Sequence, residues 1–435
     1  MARRFDVAVL GDGPAGDNLA RALGKAGQRV LMVEAAELGG ECLNAGCIPS
    51  KALIHLARER GHVPWAEVQR ELAKVTTEIR GSAADGGLPG DGVRLVRGTA
   101  SFAGRELQID GEAVAAKEVV IATGTAPTMP PIEGLTEAQP LTNRTLFKMR
   151  ELPRRLAVIG GGPIGLELGQ ALAMLGTEVT IFESGAIAPT EDRDVAAALR
   201  RHLIASGLEV LESVSIGRVR RKDGVVTVSV GRGVRRFDEL LVAAGRAAVI
   251  PAGAVETGLK LDVDGFIAAS RCGKTSLPGV WAIGDAGGGP AFTHHASYQA
   301  HHLARHLIDG RCPGRPRELL VPWAIFTTPE VGHAGMTEED ARRVHGDVRV
   351  VTFAANRVDW FRVARQSEGF AKVICDSRTG RLLGAHFFCA QASTLAGEAA
   401  LAIQMRLRVK DVANTIHPYP TCSELFRWAC AALVE

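Results

Sequence analysis

The fold is decided by Phe5-Asp-Val-Ala-Val-Leu-Gly-Asp-Gly-Pro-Ala-Gly16, followed by Val30-Leu-Met-Val-Glu34. In the first segment an apolar run rich in β-formers leads into closely spaced glycines, and a helical pattern then continues to about Gly27. The second segment is another apolar run, and it ends on an acid. This order predicts a strand, a glycine turn, a helix and a second strand.

Each glycine of this turn, and the acid after it, has a distinct physical role. Gly11 permits the tight turn, Gly13 lets the backbone approach a pyrophosphate, and Gly16 lets the helix pack against the strand. The helix N-terminus presents unpaired N–H groups and the positive end of its dipole to phosphates. Glu34 is placed to accept a hydrogen bond from an adenosine ribose hydroxyl. Together these features predict a dinucleotide site.

The same pattern occurs a second time in the chain. Leu156-Ala-Val-Ile159 leads into Gly160-Gly-Gly162-Pro-Ile-Gly165, a helical pattern follows, and Val179-Thr-Ile-Phe-Glu183 closes the unit. The acid follows the first glycine at the same spacing in both copies. One such glycine pattern arises easily, but two copies, each with its acid, favour nucleotide sites over simple turns. Two sites indicate two dinucleotides.

The acid of the second copy also favours one dinucleotide over another. A carboxylate at Glu183 suits a free ribose 2′-hydroxyl and repels a 2′-phosphate, so the pattern favours NAD(H) over NADP(H). No arginine stands immediately beside Glu183 to reverse this preference, and the nearest one downstream is Arg193.

Length and composition limit the remaining possibilities. The chain has 435 residues, more than one hydrophobic core usually supports, so we expect three or more domains. Its net charge of +3 is small, and neither nucleic acid nor an anionic membrane surface is expected as a partner. No stretch approaches the ~20 apolar residues of a membrane span. The first strand begins almost at the N-terminus, leaving no room for a signal peptide, so we expect a cytoplasmic protein.

Two of the eight cysteines lie close together after the first nucleotide unit. They belong to Gly39-Gly-Glu-Cys42-Leu-Asn-Ala-Gly-Cys47-Ile-Pro49-Ser50-Lys51, after which an amphipathic pattern begins. Pro49 and Ser50 suit the start of a helix, so we expect Cys47 near a helix N-terminus, where the dipole lowers the thiol pKa. A zinc site and two inert cysteines are the alternatives. Zinc clusters usually need two more ligands at compact spacing, and none lies nearby.

The cysteine segment resembles the signature of the pyridine nucleotide-disulfide oxidoreductases, a family that includes dihydrolipoyl dehydrogenase, glutathione reductase and mercuric reductase. The resemblance extends over essentially the whole chain. Ala122-Thr-Gly-Thr-Ala-Pro127 resembles the exit from that family's FAD domain, and Ala243-Ala-Gly-Arg246 resembles the exit from its NAD domain. Val280-Trp-Ala-Ile-Gly-Asp285 resembles its second flavin motif.

The resemblance implies an α/β fold with two Rossmann-like dinucleotide-binding domains and an α+β C-terminal dimerisation domain. We expect the FAD domain at residues 1–150 and 251–320, the NAD domain at 151–250 and the dimerisation domain at 321–435. The first nucleotide unit is thus expected to bind FAD and the second to bind NAD. The implied FAD-binding residues are Gly11, Gly13, Gly16, Glu34, Lys51, Thr123, Gly124, Gly284 and Asp285. The implied NAD-binding residues are Gly160, Gly162, Gly165, Glu183 and Gly245.

The resemblance also implies a mechanism and a partner. Electrons pass from NADH through the flavin to a redox-active disulfide, Cys42–Cys47, in which Cys47 lies beside the flavin and Cys42 attacks the substrate. Lys51 and Glu167 match a Lys–Glu pair beside the flavin N5 edge. Family active sites take their C-terminal histidine segment from the other subunit, so we expect an obligate homodimer with composite sites.

The C-terminal segment departs from the family pattern. Where the family has a catalytic histidine and, five residues later, a glutamate, this chain has Tyr419 and Glu424. A tyrosine stays protonated at working pH and is a poor base, but it can donate a hydrogen bond to a thiolate or a substrate. His417 is the alternative base, although a structural role is favoured. The tyrosine resembles mercuric reductases, but this sequence shows neither their N-terminal metal-binding module nor their C-terminal cysteine pair.

Two further regions carry weaker signals. Cys422 is a third redox thiol, a metal relay or a buried free cysteine, with the last favoured, and Cys430 has no assigned role. The stretch from Gly61 to Gly98, which contains Gly86-Gly-Leu-Pro-Gly90, is expected to be irregular. The stretch resembles a shortened form of the segment in which the family packs helices around its disulfide, so we expect substrate access to differ.

Three functions follow from these features. The first is an FAD-dependent NADH:disulfide (dithiol) oxidoreductase of the dihydrolipoyl dehydrogenase type. The second is a mercuric-reductase-like reductase of metal ions or electrophiles. The third is a redox-sensing or structural flavoprotein with little turnover. No resident metal is expected. The motifs do not identify the substrate, because the chemistry is shared and discrimination lies in the walls of the cleft.

Overall fold

The computed structural model describes residues 4–85, 92–310 and 320–434, and within these ranges no helix is long and apolar enough to cross a membrane. In chain order the first elements are β1 (Arg4–Leu10), α1 (Pro14–Lys25), β2 (Val30–Glu34), α2 (Gly40–Asn44), α3 (Cys47–Arg60), α4 (Trp65–Asp85), β3 (Val93–Arg97), β4 (Ala100–Ala103), β5 (Glu106–Ile109), β6 (Glu112–Ile121), β7 (Thr125–Pro127), α5 (Asn143–Leu146), β8 (Arg155–Ile159), α6 (Pro163–Met174), β9 (Glu178–Phe182), α7 (Arg193–Ala205) and β10 (Glu209–Leu211). The later elements are β11 (Ile216–Lys222), β12 (Val225–Val230), β13 (Gly233–Phe237), β14 (Glu239–Val242), β15 (Arg246–Ala248), β16 (Val280–Ala282), α8 (Thr293–Asp309), β17 (Trp323–Ile325), β18 (Glu330–Gly335), α9 (Glu338–His345), β19 (Val348–Ala354), α10 (Asp359–Val363), β20 (Phe370–Asp376), β21 (Leu382–Cys389), α11 (Ala392–Gln404), α12 (Val409–Ala413) and α13 (Glu424–Ala431).

The first nucleotide unit forms a parallel sheet in the strand order β3-β2-β1-β6-β16. The first half of β6 also pairs with the antiparallel hairpin of β4 and β5. Helices α1 and α8 pack together against the sheet, so that Val9, Leu19 and Met32 are at most 2% exposed. Strand β2 coincides with the predicted run Val30–Glu34, and the predicted order of strand, turn, helix and strand is confirmed.

The second nucleotide unit repeats this arrangement. Its parallel sheet has the order β10-β9-β8-β14, and helix α6 follows its glycine turn. Helix α6 is buried on several sides because it packs against β9 and also against α3 of the first unit. A separate antiparallel sheet, β11-β12-β13, follows in the chain. The contact between α6 and α3 brings the second unit against the cysteine segment.

The C-terminal residues form an antiparallel sheet in the order β17-β18-β21-β20-β19, which we call the C-terminal sheet. Helices α11 and α13 pack on it, and α7 of the second unit also contacts β21. Because several helices cover it, every residue of β21 is buried. The two parallel sheets of the nucleotide units and the C-terminal sheet with its helices confirm the predicted architecture.

One stretch is more regular than the sequence pattern indicates. The expectation that Gly61 to Gly98 is irregular is wrong for most of its length, because α4 and β3 lie within it. Trp65, Val68 and Leu72 recur at helical spacing and are buried where α4 packs on α3. The glycine-rich residues 86–90 lie outside the described ranges.

A buried charged cluster joins the second unit to the C-terminal sheet. The side chain of Lys372 on β20 is 3% exposed, and its Nζ lies 2.8 Å from Asp192, 2.6 Å from Asp194 and 2.8 Å from Glu338. Burial alone would lower the pKa of Lys372, but the three carboxylates outweigh it and raise the pKa above its usual value. The lysine is therefore a buried cation held by acids from two parts of the chain.

We predict that Lys372→Met destabilises the protein by about 3–5 kcal/mol, because it leaves Asp192 as a buried charge without its cation. The measurement is the urea midpoint of unfolding followed by far-UV circular dichroism. Lys148→Met, which removes an exposed lysine, is the control. A Lys372→Met midpoint equal to that of the control would show that the cluster does not stabilise the junction.

Candidate active site

The two cysteines meet where α2 gives way to α3. Helix α3 begins at Cys47, so the predicted position of this cysteine at a helix N-terminus is confirmed. Gly46 lets the chain turn back, since a Cβ there would lie 2.8 Å from Glu41 O. The two cysteines are not joined by a disulfide in this structure and are partly buried, and Cys42 donates a hydrogen bond to Cys47. In the described ranges, no group of three or more His, Cys, Asp or Glu side chains is arranged to hold a metal ion.

The environment polarises this pair of thiols. The hydrogen bond from Cys42 lowers the pKa of Cys47 to about 6 against the opposing effect of burial, and Thr293 and the charge of Lys51 also lower it. The same hydrogen bond, together with burial, raises the pKa of Cys42. The hydroxyl of Thr293, the first residue of α8, lies 3.3 Å from Cys42 Sγ and 3.4 Å from Cys47 Sγ. Cys47 is therefore the thiolate of the pair and Cys42 the thiol.

The ion pair expected between Lys51 and Glu167 is present. Lys51 Nζ lies 2.7 Å from Glu167 Oε2, and Lys51 follows Cys47 by one turn of α3. Glu167 is only 5% exposed, so its carboxylate is almost completely shielded from water. Its other oxygen, Oε1, accepts a hydrogen bond from the backbone N–H of Phe326 at 2.9 Å. The pair thus places a positive charge beside the thiolate.

The glycine loop of the first unit has the geometry of a phosphate cradle. Gly11 has φ +107°, and a Cβ there would lie 2.4 Å from Ala122 O. A Cβ at Gly16 would lie 1.9 Å from Gly11 O, so helix and turn are in direct backbone contact. A Cβ added at Gly13 would have no atom within 4 Å, so there is open space at the N-terminus of α1. This space fits the pyrophosphate of FAD.

The glycine loop of the second unit has the same geometry. A Cβ at Gly160 would lie 2.4 Å from Ala243 O, and one at Gly165 would lie 2.1 Å from Gly160 O. The position beyond Gly162 is again open within 4 Å. The second loop therefore also fits a dinucleotide phosphate. Arg193, the nearest arginine after the acid of this unit, lies 2.7 Å from Glu339 and is engaged there.

The acids of the two units occupy equivalent positions. One carboxylate oxygen accepts from the backbone N–H that follows the first glycine, and the other accepts from the N–H two residues beyond the acid. The donors are Asp12 and Ala36, both at 2.7 Å, for Glu34, and Gly161 at 2.7 Å and Gly185 at 2.8 Å for Glu183. Burial opposes ionisation of Glu183, but these backbone N–H groups hold its pKa below the usual value. A fixed negative charge therefore stands at the expected ribose site.

Arg246 joins the two units beside the cysteines. Its Nε donates to Thr125 Oγ1 at 2.7 Å, and its guanidinium pairs with Glu41, the residue before Cys42. The Thr125 hydroxyl in turn donates to Asp285 Oδ2 at 3.4 Å, and burial raises the pKa of Asp285. Asp285, expected from the sequence at the flavin, thus belongs to a network that reaches the cysteine segment. Thr125, Glu41 and Thr293 were not among the predicted site residues.

The remaining expected cofactor residues lie in turns around this network. The N–H of Val249 donates to the carbonyl oxygen of Gly124 at 3.0 Å. The carbonyl oxygen of Val249 in turn accepts from the hydroxyl of Thr123. Gly284 N–H donates to Gln299 Oε1 at 2.6 Å. Gly245 has φ +139°, a conformation that favours glycine. The contacts of Thr123 and Gly124 with Val249 connect the two nucleotide units to each other.

Tyr419 and Glu424 are not joined to the two cysteines by any hydrogen bond or ion pair of the described residues. Tyr419 is 70% exposed, and its hydroxyl donates to Asp359 Oδ2 at 3.0 Å. Glu424 is buried, and its Oε2 has no hydrogen-bond partner among the described residues. The tyrosine is therefore paired with Asp359, a residue that the sequence pattern did not indicate.

His417 and the C-terminal cysteines are held within the C-terminal part of the chain. His417 Nε2 lies 2.7 Å from Glu398 Oε1, and its Nδ1 lies 3.0 Å from Thr415 O. Both ring nitrogens thus face oxygen atoms, which supports the structural role. Burial raises the pKa of Cys422 and of Cys430, as expected for buried thiols.

The chain is similar in sequence to one known family over most of its length. Residues 5–300 match the family described as pyridine nucleotide-disulphide oxidoreductase, and residues 321–430 match the dimerisation domain of that family. A dihydrolipoyl dehydrogenase of Thermus scotoductus is 37% identical over 456 residues, which cover 99% of this chain and 98% of that protein. A mercuric reductase of Lysinibacillus sphaericus is 31% identical over 447 residues, which cover 97% of this chain and 81% of that protein.

Solved structures give a similar result. The HOCl-induced flavoprotein disulfide reductase RclA from Escherichia coli superposes with a TM-score of 0.93 at 28% identity, covering 98% of this chain and 99% of that one. The Cu(II) complex of the same reductase superposes with a TM-score of 0.92 at 28% identity, covering 99% of this chain and 100% of that one. The similarity therefore includes the arrangement of all the domains.

We predict that Cys42→Ala raises the pKa of Cys47 above about 6 by roughly one unit or more, because the donated hydrogen bond is lost. Cys42→Ser, whose hydroxyl can still donate, is the matched control and should shift the pKa less. The measurement is the rate of iodoacetamide alkylation of Cys47 against pH, followed by mass spectrometry. Only the thiolate reacts with iodoacetamide, so the alkylation rate falls as the pH drops below the pKa of Cys47. In the alanine variant the midpoint of this fall should lie at a higher pH than in the unmodified protein. A midpoint in Cys42→Ala no higher than that of the unmodified protein would show that Cys42 does not polarise Cys47.

Proposed function

This chain belongs to the pyridine nucleotide-disulphide oxidoreductase family, and from that we propose that it is an NADH-dependent reductase working through FAD and the Cys42–Cys47 disulfide. The observation that supports this best is the polarisation of the two thiols. Cys47 has a lowered pKa beside Lys51, whereas the pKa of Cys42 is raised. Two inert buried cysteines would both be expected to have raised pKa values.

The residues of the site divide the work of the reaction. A bound FAD supplies the two-electron chemistry that links the nicotinamide to the disulfide. On reduction Cys47 holds the negative charge, which Lys51 and the N-terminus of α3 stabilise, and Cys42 holds the proton. Cys42 must lose that proton before it attacks an acceptor. The Thr293 hydroxyl reaches both sulfur atoms, so it can donate to whichever of them is charged.

The preference for NADH over NADPH rests on Glu183. Its carboxylate is held ionised by backbone N–H groups at the position expected for the adenosine ribose. A fixed negative charge accepts a hydrogen bond from a 2′-hydroxyl and repels a 2′-phosphate. The nearest downstream arginine is engaged with Glu339 and does not compensate this charge.

A homodimer with composite active sites is supported by the exposed apolar side chains of the C-terminal region. Ile416 is 94% exposed, Tyr419 70%, Leu401 66% and Met405 64%, and all four lie within residues 321–430, which match the family's dimerisation domain. Large apolar residues at such exposure are typical of a covered interface. In the dimer, Tyr419 of one subunit would face the cysteines of the other.

Two classes of acceptor are supported. A disulfide is the first, because dihydrolipoyl dehydrogenases are similar to this chain over nearly its whole length. A soft metal cation is the second, because mercuric reductases are also similar and Tyr419 stands in the place of the family's basic histidine. The tyrosine pKa is raised by the hydrogen bond to Asp359, so the residue does not act as a base. This favours the direction of acceptor reduction over dithiol oxidation.

We predict that the FAD-loaded protein oxidises NADH faster than NADPH with lipoamide or Hg(II) as acceptor, and that Cys42→Ser lowers this turnover by roughly 100-fold or more. Steady-state NADH oxidation with each acceptor is the measurement. Cys422→Ser is the control, since serine can keep the hydrogen bond to Gln391. Full turnover in Cys42→Ser would rule out the proposed relay. Slow turnover with every acceptor, despite a titratable disulfide, would favour a redox-sensing flavoprotein.

A further inference from the structure

The hydroxyl of Tyr419 has a fixed partner in its own chain. It donates to Asp359 Oδ2 at 3.0 Å, and the other Asp359 oxygen lies 3.8 Å from Arg362 Nη1. Asp359 is the first residue of the short helix α10, and most of the Tyr419 side chain is exposed. The carboxylate at the family's usual offset, Glu424, does not hold the tyrosine. The acid that accepts from this hydroxyl is therefore Asp359 and not Glu424.

The hydrogen bond to Asp359 uses the only proton of the Tyr419 hydroxyl. A phenol has one O–H donor and otherwise accepts, whereas an ionised carboxylate accepts only. The bond to Asp359 also raises the pKa of Tyr419, so the hydroxyl keeps its proton at working pH. Tyr419 therefore presents its oxygen lone pairs, and not its proton, to any group that approaches from outside the chain.

Disulfides and metal cations place opposite demands on such a hydroxyl. When a cysteine thiolate cleaves a disulfide, a new S–S bond forms and the other sulfur leaves as a thiolate, which needs a proton or a hydrogen-bond donor. Lone pairs backed by a carboxylate repel that leaving thiolate. A soft divalent cation needs no proton, and both the hydroxyl oxygen and the nearby negative charge attract it.

We infer that Asp359 is a positioning residue that turns the Tyr419 hydroxyl toward itself and thereby makes the composite site select soft divalent cations over disulfides. The inference rests on the proposed function, in which Tyr419 of one subunit faces Cys42 and Cys47 of the other. It narrows the two classes of acceptor to one.

The test is the substitution Asp359→Asn in the FAD-loaded full-length protein. The asparagine side chain is neutral and its NH2 group can donate to the phenol oxygen, so the Tyr419 proton is no longer held by an accept-only carboxylate and can point outward. We expect the ratio of kcat/KM for lipoamide to kcat/KM for Hg(II) to rise roughly tenfold or more. In a Tyr419→Phe background the same substitution should leave the ratio unchanged. Asp347→Asn, which removes an exposed carboxylate from the same region, is the matched control.

A second measurement follows the hydroxyl independently of turnover. The chain has only two tyrosines, so in a Tyr298→Phe variant the rise of tyrosinate absorbance with pH reports Tyr419 alone. Adding Asp359→Asn should lower the pKa of Tyr419 toward its usual value. An unmoved pKa would overturn the role of Asp359, and a moved pKa with an unchanged acceptor ratio would overturn the selection. Failure of the proposed function is recognised separately, because Cys42→Ser would then retain both activities.

Discussion

The buried carboxylate of Glu167 is the interaction on which the arrangement of the site depends. It lies on α6 of the second unit, accepts from Lys51 on α3 of the first, and accepts from the backbone of Phe326 beside the C-terminal sheet. Burying a carboxylate costs free energy unless its oxygens accept hydrogen bonds. The three parts of the chain must therefore pack so that both donors reach Glu167. Gln170, one turn later, bonds both backbone groups of Thr328 and repeats the connection. The position of Cys47 on α3 is fixed in consequence.

The features that the sequence predicted are those that depend on nearby residues. The strand at Val30–Glu34, the helix start at Cys47 and the glycine loops all follow from local backbone geometry, which a short motif determines. The second copy of the motif strengthened the prediction, because the same spacing between glycine and acid indicates the same backbone geometry in both units. The equal hydrogen bonding of Glu34 and Glu183 is the structural counterpart of that spacing.

The contacts that the sequence did not predict join residues that are far apart in the chain. Thr293 reaches Cys42 across 251 positions, and Arg246 reaches Glu41 across 205. Only the packing of the domains brings such residues together, so no local pattern identifies them. Helix α4 is a different case. Its apolar residues recur at helical spacing and this pattern is visible in the sequence, but the glycines that follow it favoured an irregular segment. The contact between Tyr419 and Asp359 also joins residues far apart in the chain, so no local pattern predicts it.

The charge distribution at the two cysteines fits the proposed relay, in which Cys47 would accept electrons as the stabilised thiolate and Cys42 would pass them to the acceptor. The proposed relay depends on a redox-active Cys42–Cys47 disulfide. Its most direct test is an anaerobic titration of the oxidised, FAD-loaded protein with dithionite, which counts electrons. We predict roughly four electrons per chain, two for FAD and two for the disulfide, and roughly two in Cys42→Ser. Uptake of only about two electrons by the unmodified protein would contradict the claim.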